Sequence, residues 1–544
     1  MSTQINTSSS EIEKVAVPQY LIISFLTIFA IGSQYFSNLS YTLNQSIVQN
    51  GLNLSSNDLL FPSTLSNLAF ALGVPLGPVL TRKFGLRRNY LTFIFIFLCG
   101  SIVAAVAPNL LILIAARVVQ GLSAGFLFLT ILPASLRSFP NKIRNFFLLM
   151  IITGLFGASA LGALFGSISL NADAWRWLFV LNVLASFLCL IVGFLGLPKN
   201  EEHQHDHTLV DKTGVFLWIL SMAVLAFPLC NLMQNGFSSI YVWPFLVGAF
   251  ILLVLFVLVD IKAETPLVPF RTLKAPKPIS GTIMAVASHV SLIFAIAGIN
   301  GFLRNDMDLP FKYLSHFYFW FFVGVVVTAI LKTLLYDKLG AGILGFIGSL
   351  VVIFVSIQWR TIEAGASLTS LYFQVACLGG GVAMVLVSGA LGTALAGDIH
   401  QASMRSVTLH SIRNFTGAVI SPIIGWYLTR QNAANYEGIR GHLDQNGSEF
   451  KLEMTKLIRH FMENGHSLAS AKSLASYELI VNAKKSAILG AYHNLFTILL
   501  VLGVIMLLAS IGKIVTGKGR SLVQKPTRIL LPAPKEKELT DKTA

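Results

Sequence analysis

One charged side chain stands inside a long apolar stretch of this chain. Arg117 follows the run Leu-Leu-Ile-Leu-Ile-Ala-Ala at 110–116 and is followed by Val-Val-Gln120. An arginine in the middle of an apolar membrane helix costs roughly 3 kcal/mol or more on insertion scales, so it usually faces a protein interior or a water-filled cavity. Arg117 therefore marks a candidate site or path for a polar solute. A structural arginine that holds a neighbouring helix is the alternative.

The candidate partners of Arg117 are neutral. The first six apolar stretches contain no Asp or Glu, and the first of them carries Gln34 and Asn38 instead. By elimination, Arg117 pairs with Gln34, Asn38, Gln120, backbone or a bound substrate. We expect these residues to line a central cavity, together with His289 and with Trp320, whose ring would pack against apolar cargo.

Four polar residues in or at the edges of apolar stretches of the second half are candidates for proton coupling. A histidine titrates near neutral pH, so His289 and His410 are candidate proton carriers. Asp398 is the best carboxylate candidate for a proton site, and Arg413 lies one helical turn beyond His410. The alternatives are packing histidines and an interface pair between Asp398 and Arg405.

Composition indicates a polytopic membrane protein. The 544 residues are 54% hydrophobic and 12% charged, whereas soluble domains carry about 25% charged residues. Fourteen segments are apolar and long enough to be membrane-spanning helices, which need about 20 residues each. They predict an all-α fold with a six-helix bundle at 18–198, an inserted helix pair at 215–262 and a second six-helix bundle at 279–512.

The connecting segments predict the topology. We expect a cytoplasmic tail at 1–17, cytoplasmic linkers at 199–214 and 263–278, a long outer loop at 430–486 holding an amphipathic helix, and a basic cytoplasmic tail at 513–544. Basic residues cluster in alternate loops, as cytoplasmic loops require. This places both termini inside the cell and the protein in the inner membrane. The basic residues of these cytoplasmic loops are Arg82, Lys83, Arg87, Arg88, Arg137, Lys142, Arg144, Lys262, Arg271, Lys274 and Lys277.

Several functions are disfavoured by the same observations. The net charge of +15 is explained by loops flanking the spans, so we expect no nucleic-acid partner. Gly121-Leu-Ser123-Ala-Gly125 matches a hydrolase nucleophile motif only as a string, because it continues a membrane helix. No phosphate-binding loop of the ATPase type is present. We expect no enzyme activity, no cofactor and no metal. A small-molecule substrate and the lipid bilayer are the expected partners of a monomer.

Motifs along the chain resemble those of the major facilitator superfamily, and within it the fourteen-span drug:proton antiporter branch. Nearly the whole chain takes part in the resemblance. The matching motifs are Arg117-Val-Val-Gln-Gly121, Leu80-Thr-Arg-Lys-Phe-Gly85-Leu-Arg87-Arg88, its second copy Leu335-Tyr-Asp337-Lys338-Leu-Gly340, and Trp175-Arg-Trp-Leu-Phe179 with Asn182. Three positions differ from the family pattern: Arg82 stands where an acidic residue is usual, and Ala158 and Ala163 replace family residues in the fifth span.

The resemblance implies a secondary transporter that exports amphipathic small molecules by alternating access, in exchange for protons. Two alternatives stay open, namely an exporter of a specific polar or anionic metabolite and an uncoupled facilitator. The resemblance also implies a cytoplasmic gate at the two loop motifs, for which plain topological charge is the other explanation. The residues of the expected cytoplasmic gate are Arg82, Lys83, Gly85, Arg87, Arg88, Asp337 and Lys338.

Overall fold

The described part of the chain is almost entirely helical. The computed structural model describes residues 17–43, 48, 52, 58–168, 175–198, 211–397, 401–442 and 448–523. Within them the α-helices, numbered α1 to α14 in order, are Gln19–Leu43, Phe61–Phe84, Leu86–Val106, Leu110–Ser138, Phe146–Ile168, Trp175–Gly196, Lys212–Asn235, Trp243–Lys262, Pro276–Asn305, Phe311–Trp359, Leu368–Ala394, Ala402–His442, Ser448–Glu463 and Leu468–Val515.

Most of these helices are long enough to cross a membrane. In the described residues, eleven helices combine sufficient length with sufficient hydropathy. One of them, α10, bends at Gly340, whose φ of 81° is left-handed, so it supplies two spans. The shorter apolar helix α5 and the more polar helix α12 correspond to the other two of the fourteen segments predicted as spans.

The helices pack into two bundles and an inserted pair. Helices α1 to α6 contact one another, and helices α9 to α12 form a second group with α14. The bundles meet where α5 packs against α10 and where α2 packs against α12. Helix α7 contacts α8, α2 and α12, so the inserted pair lies beside the second of these seams. There Trp218 of α7 donates to the carbonyl oxygen of Leu72 at 3.2 Å and its ring lies 5.9 Å from that of Phe415.

Glycines bring α2 and α4 together backbone to backbone. A Cβ added at Gly121 would overlap the carbonyl oxygen of Ser66, and one at Gly125 would overlap that of Phe70. Small residues permit such close approach in membrane helices, where packing replaces the hydrophobic effect as the driving force. The sequence predicted close packing at Gly121 and Gly125, and the structure identifies α2 as the partner.

Two helices continue beyond the length needed to cross a bilayer. Helix α12 has 41 residues and α14 has 48, whereas a span needs about 20. Helix α13, with its apolar face, packs against α14, where Ala471 and Ala475 are fully buried. The segment 430–486, predicted as a loop carrying an amphipathic helix, is thus largely helical where the structure describes it.

We refer to the two ends of the bundles as the basic end and the opposite end. The basic end carries the connections 82–88, 139–145, 263–275 and the residues that follow α14. The opposite end carries α13 and the extensions of α12 and α14.

The α2–α4 contact predicts the effect of a single methyl group. Gly125→Ala should lower the free energy of unfolding by about 1–3 kcal/mol, because the two helix backbones must separate. Thermal unfolding of the purified protein in detergent, followed by tryptophan fluorescence, measures this change.

Gly248 of α8 provides the matched control, since a Cβ there meets nothing within 4 Å. Gly248→Ala should be neutral or slightly stabilising, because alanine favours helix by up to about 1 kcal/mol. Equal melting temperatures for the two variants would show that α2 and α4 tolerate separation.

Candidate functional site

Arg117 is fully buried within the first bundle and is bound by amide oxygens. Its Nη1 donates to Oε1 of Gln120 at 3.0 Å, and its Nη2 donates to Oδ1 of Asn38 on α1. The guanidinium also lies 5.9 Å from the ring centroids of both Tyr41 and Phe179. Aromatic faces stabilise a cation in such geometry, so four side chains together replace a carboxylate partner.

The amides extend this network through the first bundle. Nε2 of Gln34 donates to Oγ of Ser66 at 3.0 Å, and Nδ2 of Asn38 donates to Oδ1 of Asn67 at 2.8 Å. Nε2 of Gln120 donates to Oγ of Ser101 at 2.9 Å. Nε2 of Gln34 also lies 3.5 Å from Oδ1 of Asn38, so the four residues predicted from the sequence, Arg117, Gln34, Asn38 and Gln120, form one network that joins α1, α2, α3 and α4.

The space beside this network is small. A void of about 10 Å³ lies against Tyr41 and Phe179 and is also lined by Ser37, Val48, Trp175, Leu178 and Asn182. That volume is about the minimum that admits one water molecule. The Arg117 network is thus closed in this structure, and it ties helices of one bundle together.

A second polar cluster lies where the two bundles meet. The ring of His410 on α12 is 5.1 Å from that of Phe128 on α4, and the guanidinium of Arg413 lies 5.5 Å from the same ring. His289 of α9 reaches α12 at Gly417, where a Cβ would lie 2.5 Å from its Nε2. His289 and His410 each interact electrostatically with Arg413. The structure thus brings together three of the four predicted proton-coupling residues.

This interbundle cluster is rich in unpaired nitrogen atoms. Nδ1 of His410, Nε of Arg413 and Nδ2 of Asn414 are buried and have no hydrogen-bond partner among the described residues. Arg413 donates to Oδ1 of Asn414 at 3.3 Å, and no ion pair of the described residues involves it. A buried polar group without a partner costs roughly 1–3 kcal/mol. Because Nε of Arg413 and Nδ2 of Asn414 are donors, the cluster is suited to a ligand that supplies hydrogen-bond acceptors.

Trp320, which was predicted to line the cavity, lies elsewhere. Trp320 is 40% exposed and stacks on Tyr372 of α11, with ring centroids 6.4 Å apart. Phe322, two residues later and about 200° round the helix, contacts Gly157 of α5 across the bundle interface. Trp320 therefore points away from that interface. Asp398 lies outside the described residues.

At the basic end, the first loop motif binds its own bundle. Gly85 joins α2 to α3 with a φ of 81°, which favours glycine. Arg87 donates to the carbonyl oxygens of Leu197 at 2.5 Å and Phe194 at 2.6 Å, which orients the end of α6. Arg82, Lys83 and Arg88 are exposed, and the last two lie over the ring of Phe84.

The second loop motif binds the segment that follows α14. Oδ1 of Asp337 accepts a hydrogen bond from the backbone nitrogen of Leu522 at 2.9 Å, and its Oδ2 accepts one from Val523 at 3.4 Å. The carbonyl oxygen of Lys338 accepts from Nζ of Lys518. The sequence indicated a gate at this motif, but Leu522 is 185 residues away from Asp337 and no local pattern pointed to it.

Two buried groups were not predicted from the sequence. Lys332 of α10 is fully buried, and its Nζ has no hydrogen-bond partner among the described residues. A lysine inside the apolar run Val-Thr-Ala-Ile-Leu-Lys332-Thr-Leu-Leu carries the same signal that drew attention to Arg117. Phe128 had no such signal, because one Phe among 40 becomes informative only when its neighbours across the interface are known.

A wider cleft opens at the opposite end. It has a volume of about 620 Å³ and lies between the end of α9 and the extensions of α12 and α14. Nζ of Lys485 binds the carboxylate of Asp308 there. Burial raises the pKa of the nearby Asp306 above its ordinary value, although the charge of Lys485 opposes this effect. The cleft is separate from both polar clusters.

Removal of Arg117 should destabilise the first bundle. Arg117→Ala leaves the buried oxygens of Asn38 and Gln120 without their donor, which should cost roughly 2–4 kcal/mol of unfolding free energy. Thermal unfolding in detergent measures the loss. Arg82→Ala, at an exposed position, is the control and should melt like the parent protein. An unchanged melting temperature for Arg117→Ala would contradict a structural role for the network.

Comparisons with known proteins agree with this architecture. The model of the Major Facilitator Superfamily matches residues 21–426. The uncharacterised MFS-type transporter YubD of Bacillus subtilis is 29% identical over 93% of this chain and 91% of its own length. The drug efflux pump JefA of Mycobacterium tuberculosis is 28% identical, over 38% of this chain and 43% of its own length.

A solved structure shares the fold at low sequence identity. The inward-facing, occupied structure of a bacterial homologue of the human lysosomal transporter Spinster has a TM-score of 0.54 and 12% identity, and covers 93% of this chain and 99% of its own. The predicted fold class, two six-helix bundles with an inserted pair, is therefore confirmed. The family match spans most of the chain, and the protein belongs to the Major Facilitator Superfamily, whose members are multi-pass membrane transporters and not enzymes.

Proposed function

We propose that this transporter exports amphipathic small molecules by alternating access between its two bundles. The observation that carries the proposal is the interbundle cluster, where Phe128 of one bundle meets His410 and Arg413 of the other. A drug efflux pump among its relatives supports export as the direction. An aromatic ring beside unpaired donors offers one surface for apolar cargo and one for its polar group.

The position of the cluster suits a moving binding site. Transporters of this type hold cargo near the middle of the membrane, at the interface of two repeats that rock against each other. His289 and His410 come from α9 and α12 of the second bundle, whereas Phe128 belongs to α4 of the first. A relative movement of the bundles would separate the ring of Phe128 from His410 and Arg413, and so would release what lies between them.

Proton exchange would be carried by the two histidines. Both lie near Arg413, so a proton on either imidazole adds a second positive charge at short range. That proton binds most easily when the cluster is open to water and no cargo is present. Cargo and proton then compete for one site, and this competition is what an exchanger requires. The cell supplies an inward proton gradient that would drive the cargo outward.

The orientation follows from charge. Since the exposed cations Arg82, Lys83 and Arg88 and the other basic loops lie at one end, the positive-inside rule assigns that end to the cytoplasm. The extensions of α12 and α14 then lie outside the cytoplasmic membrane, with both termini inside.

A transport assay tests the proton role. Liposomes containing the purified full-length protein and an internal pH-sensitive dye should show proton movement when a lipophilic dye is added against a proton gradient. His410→Gln should reduce this movement to well below that of the parent protein, because glutamine preserves hydrogen bonding but cannot titrate.

The control is His316→Gln, an exposed histidine of α10 whose ring lies near Tyr372. It should exchange protons like the parent protein. Full proton exchange by His410→Gln would remove His410 from the coupling mechanism.

A second candidate is the export of an organic anion without proton exchange. The unpaired nitrogen atoms around Arg413 favour it, because an anionic group would satisfy them while a cation would be repelled. Cells are electrically negative inside, and moving one charge through 100 mV yields about 2.3 kcal/mol, so the membrane potential alone can expel an anion.

A potassium diffusion potential, with pH equal on both sides, distinguishes the two candidates. An anionic fluorescent sulfonate should then leave the liposomes at a rate that follows the potential, and Arg413→Gln should abolish this flux. If only cationic dyes move, and only with a pH difference, proton exchange is supported and anion export is excluded.

A further inference from the structure

A short segment folds back after the last helix. α14 ends at Val515, and Gly517 turns the chain with a left-handed φ of 83°. Residues 516–523 then run across the basic end of the second bundle. We call this segment the C-terminal strap.

The second bundle provides a seat for the strap. The carboxylate of Asp337 accepts hydrogen bonds from the backbone of Leu522 and Val523, as described above. The backbone nitrogen of Arg520 donates to the carbonyl oxygen of Leu395 at 3.0 Å, at the end of α11. Hydrogen bonds to a charged acceptor are about twice as strong as neutral ones, so Asp337 dominates this seat.

Lysine side chains add a second row of contacts. Nζ of Lys518 donates to the carbonyl oxygen of Lys338, and Nζ of Lys277 donates to that of Lys518. The stem of Lys518 covers Gly340, where an added Cβ would lie 3.1 Å from its Cγ. Gly340 thus permits the bend of α10 and also leaves room for the side chain of Lys518 in the strap.

The strap also reaches the first bundle. Nη1 of Arg144, in the connection between α4 and α5, donates to the carbonyl oxygen of Leu522 at 3.4 Å. Leu522 is 3% exposed, so its side chain is buried at this end. This hydrogen bond crosses between the bundles at the basic end, whereas three backbone hydrogen bonds attach the strap to its seat.

We propose that the C-terminal strap is a latch that closes the basic end. It stays seated on Asp337 of the second bundle, and its contact with Arg144 and the first bundle breaks when that end opens. Residues 518–523 of the strap therefore bind to a surface of the same chain. This surface is formed by the 337–340 turn, Leu395 and the 139–145 connection. The proposal depends on neither the cargo nor the coupling ion.

Labelling of one introduced thiol measures opening directly. Val407 of α12 is 9% exposed and lies in the apolar cluster of the first bundle, so it is covered when the basic end is closed. In the full-length protein carrying Val407→Cys, with Cys99, Cys230 and Cys377 replaced by serine, maleimide should label position 407 slowly. Adding Asp337→Asn should raise the rate roughly tenfold, because the charged acceptor of the strap is lost.

Cys189 reports on folding in the same sample. It is buried in the first bundle away from the strap, so its labelling should not change. A labelling rate at position 407 equal to that of the parent, in protein that keeps Cys189 protected, would overturn the latch. A rise at both positions shows that Asp337→Asn unfolds the protein. In that case Leu522→Ala, which leaves the seat of Asp337 intact, is measured instead, with the same two outcomes for the proposal.

Cross-linking provides a second measurement with an internal control. A short bismaleimide joining cysteines introduced at positions 144 and 522 ties the strap to the first bundle, and it should suppress labelling at position 407. The same reagent joining cysteines introduced at positions 338 and 518 ties the strap to its own bundle and should leave the labelling rate unchanged. Equal rates for the two linked proteins would show that the contact between Arg144 and Leu522 does not hold the end closed.

Discussion

The first bundle depends on a cation held by neutral groups. Arg117 is bound by the amide oxygens of Asn38 and Gln120 and faces the rings of Tyr41 and Phe179. Within a membrane interior, a buried charge must be satisfied by its immediate neighbours, since no water is available to it. The helices that carry these neighbours are therefore fixed relative to α4. The close contact of α2 with the glycines of α4 depends on the same registration.

The interbundle cluster differs from this network in its position, because it lies between the two bundles and the network lies within one. Around Arg117 the amides are bonded to hydroxyl and amide groups of adjoining helices, and the adjoining void is no larger than a water molecule. Buried atoms without a partner among the described residues occur in both places, namely Oε1 of Gln34 and Nε of Arg117 in the network and three nitrogen atoms around Arg413. A hydrogen-bonded network within one bundle stabilises one arrangement of its helices, whereas a cluster between two bundles changes its neighbours when the bundles move. This contrast supports a structural role for the network of the first bundle and the proposed cargo contact between the bundles.

The two copies of the loop motif have also diverged. Arg82 replaces the usual acidic residue in the first copy and is exposed, while Asp337 keeps the acid in the second. Only the acidic copy has a carboxylate that can accept backbone hydrogen bonds, and there it receives the C-terminal strap. The bend at Gly340 and the turn at Gly517 bring these distant parts together, since both adopt a left-handed backbone conformation.

The sequence by itself determined the fold class and two hydrogen-bond partners of Arg117, Asn38 and Gln120. Hydropathy and loop charge depend on local composition, and a buried charge can be paired by elimination when few polar residues are present. Only the tertiary structure decided that His289, His410 and Arg413 meet Phe128, that Trp320 points away from the interface, and that Asp337 binds the strap. These contacts join residues far apart in the chain, and helical periodicity specifies the face of a side chain but not the helix that it meets.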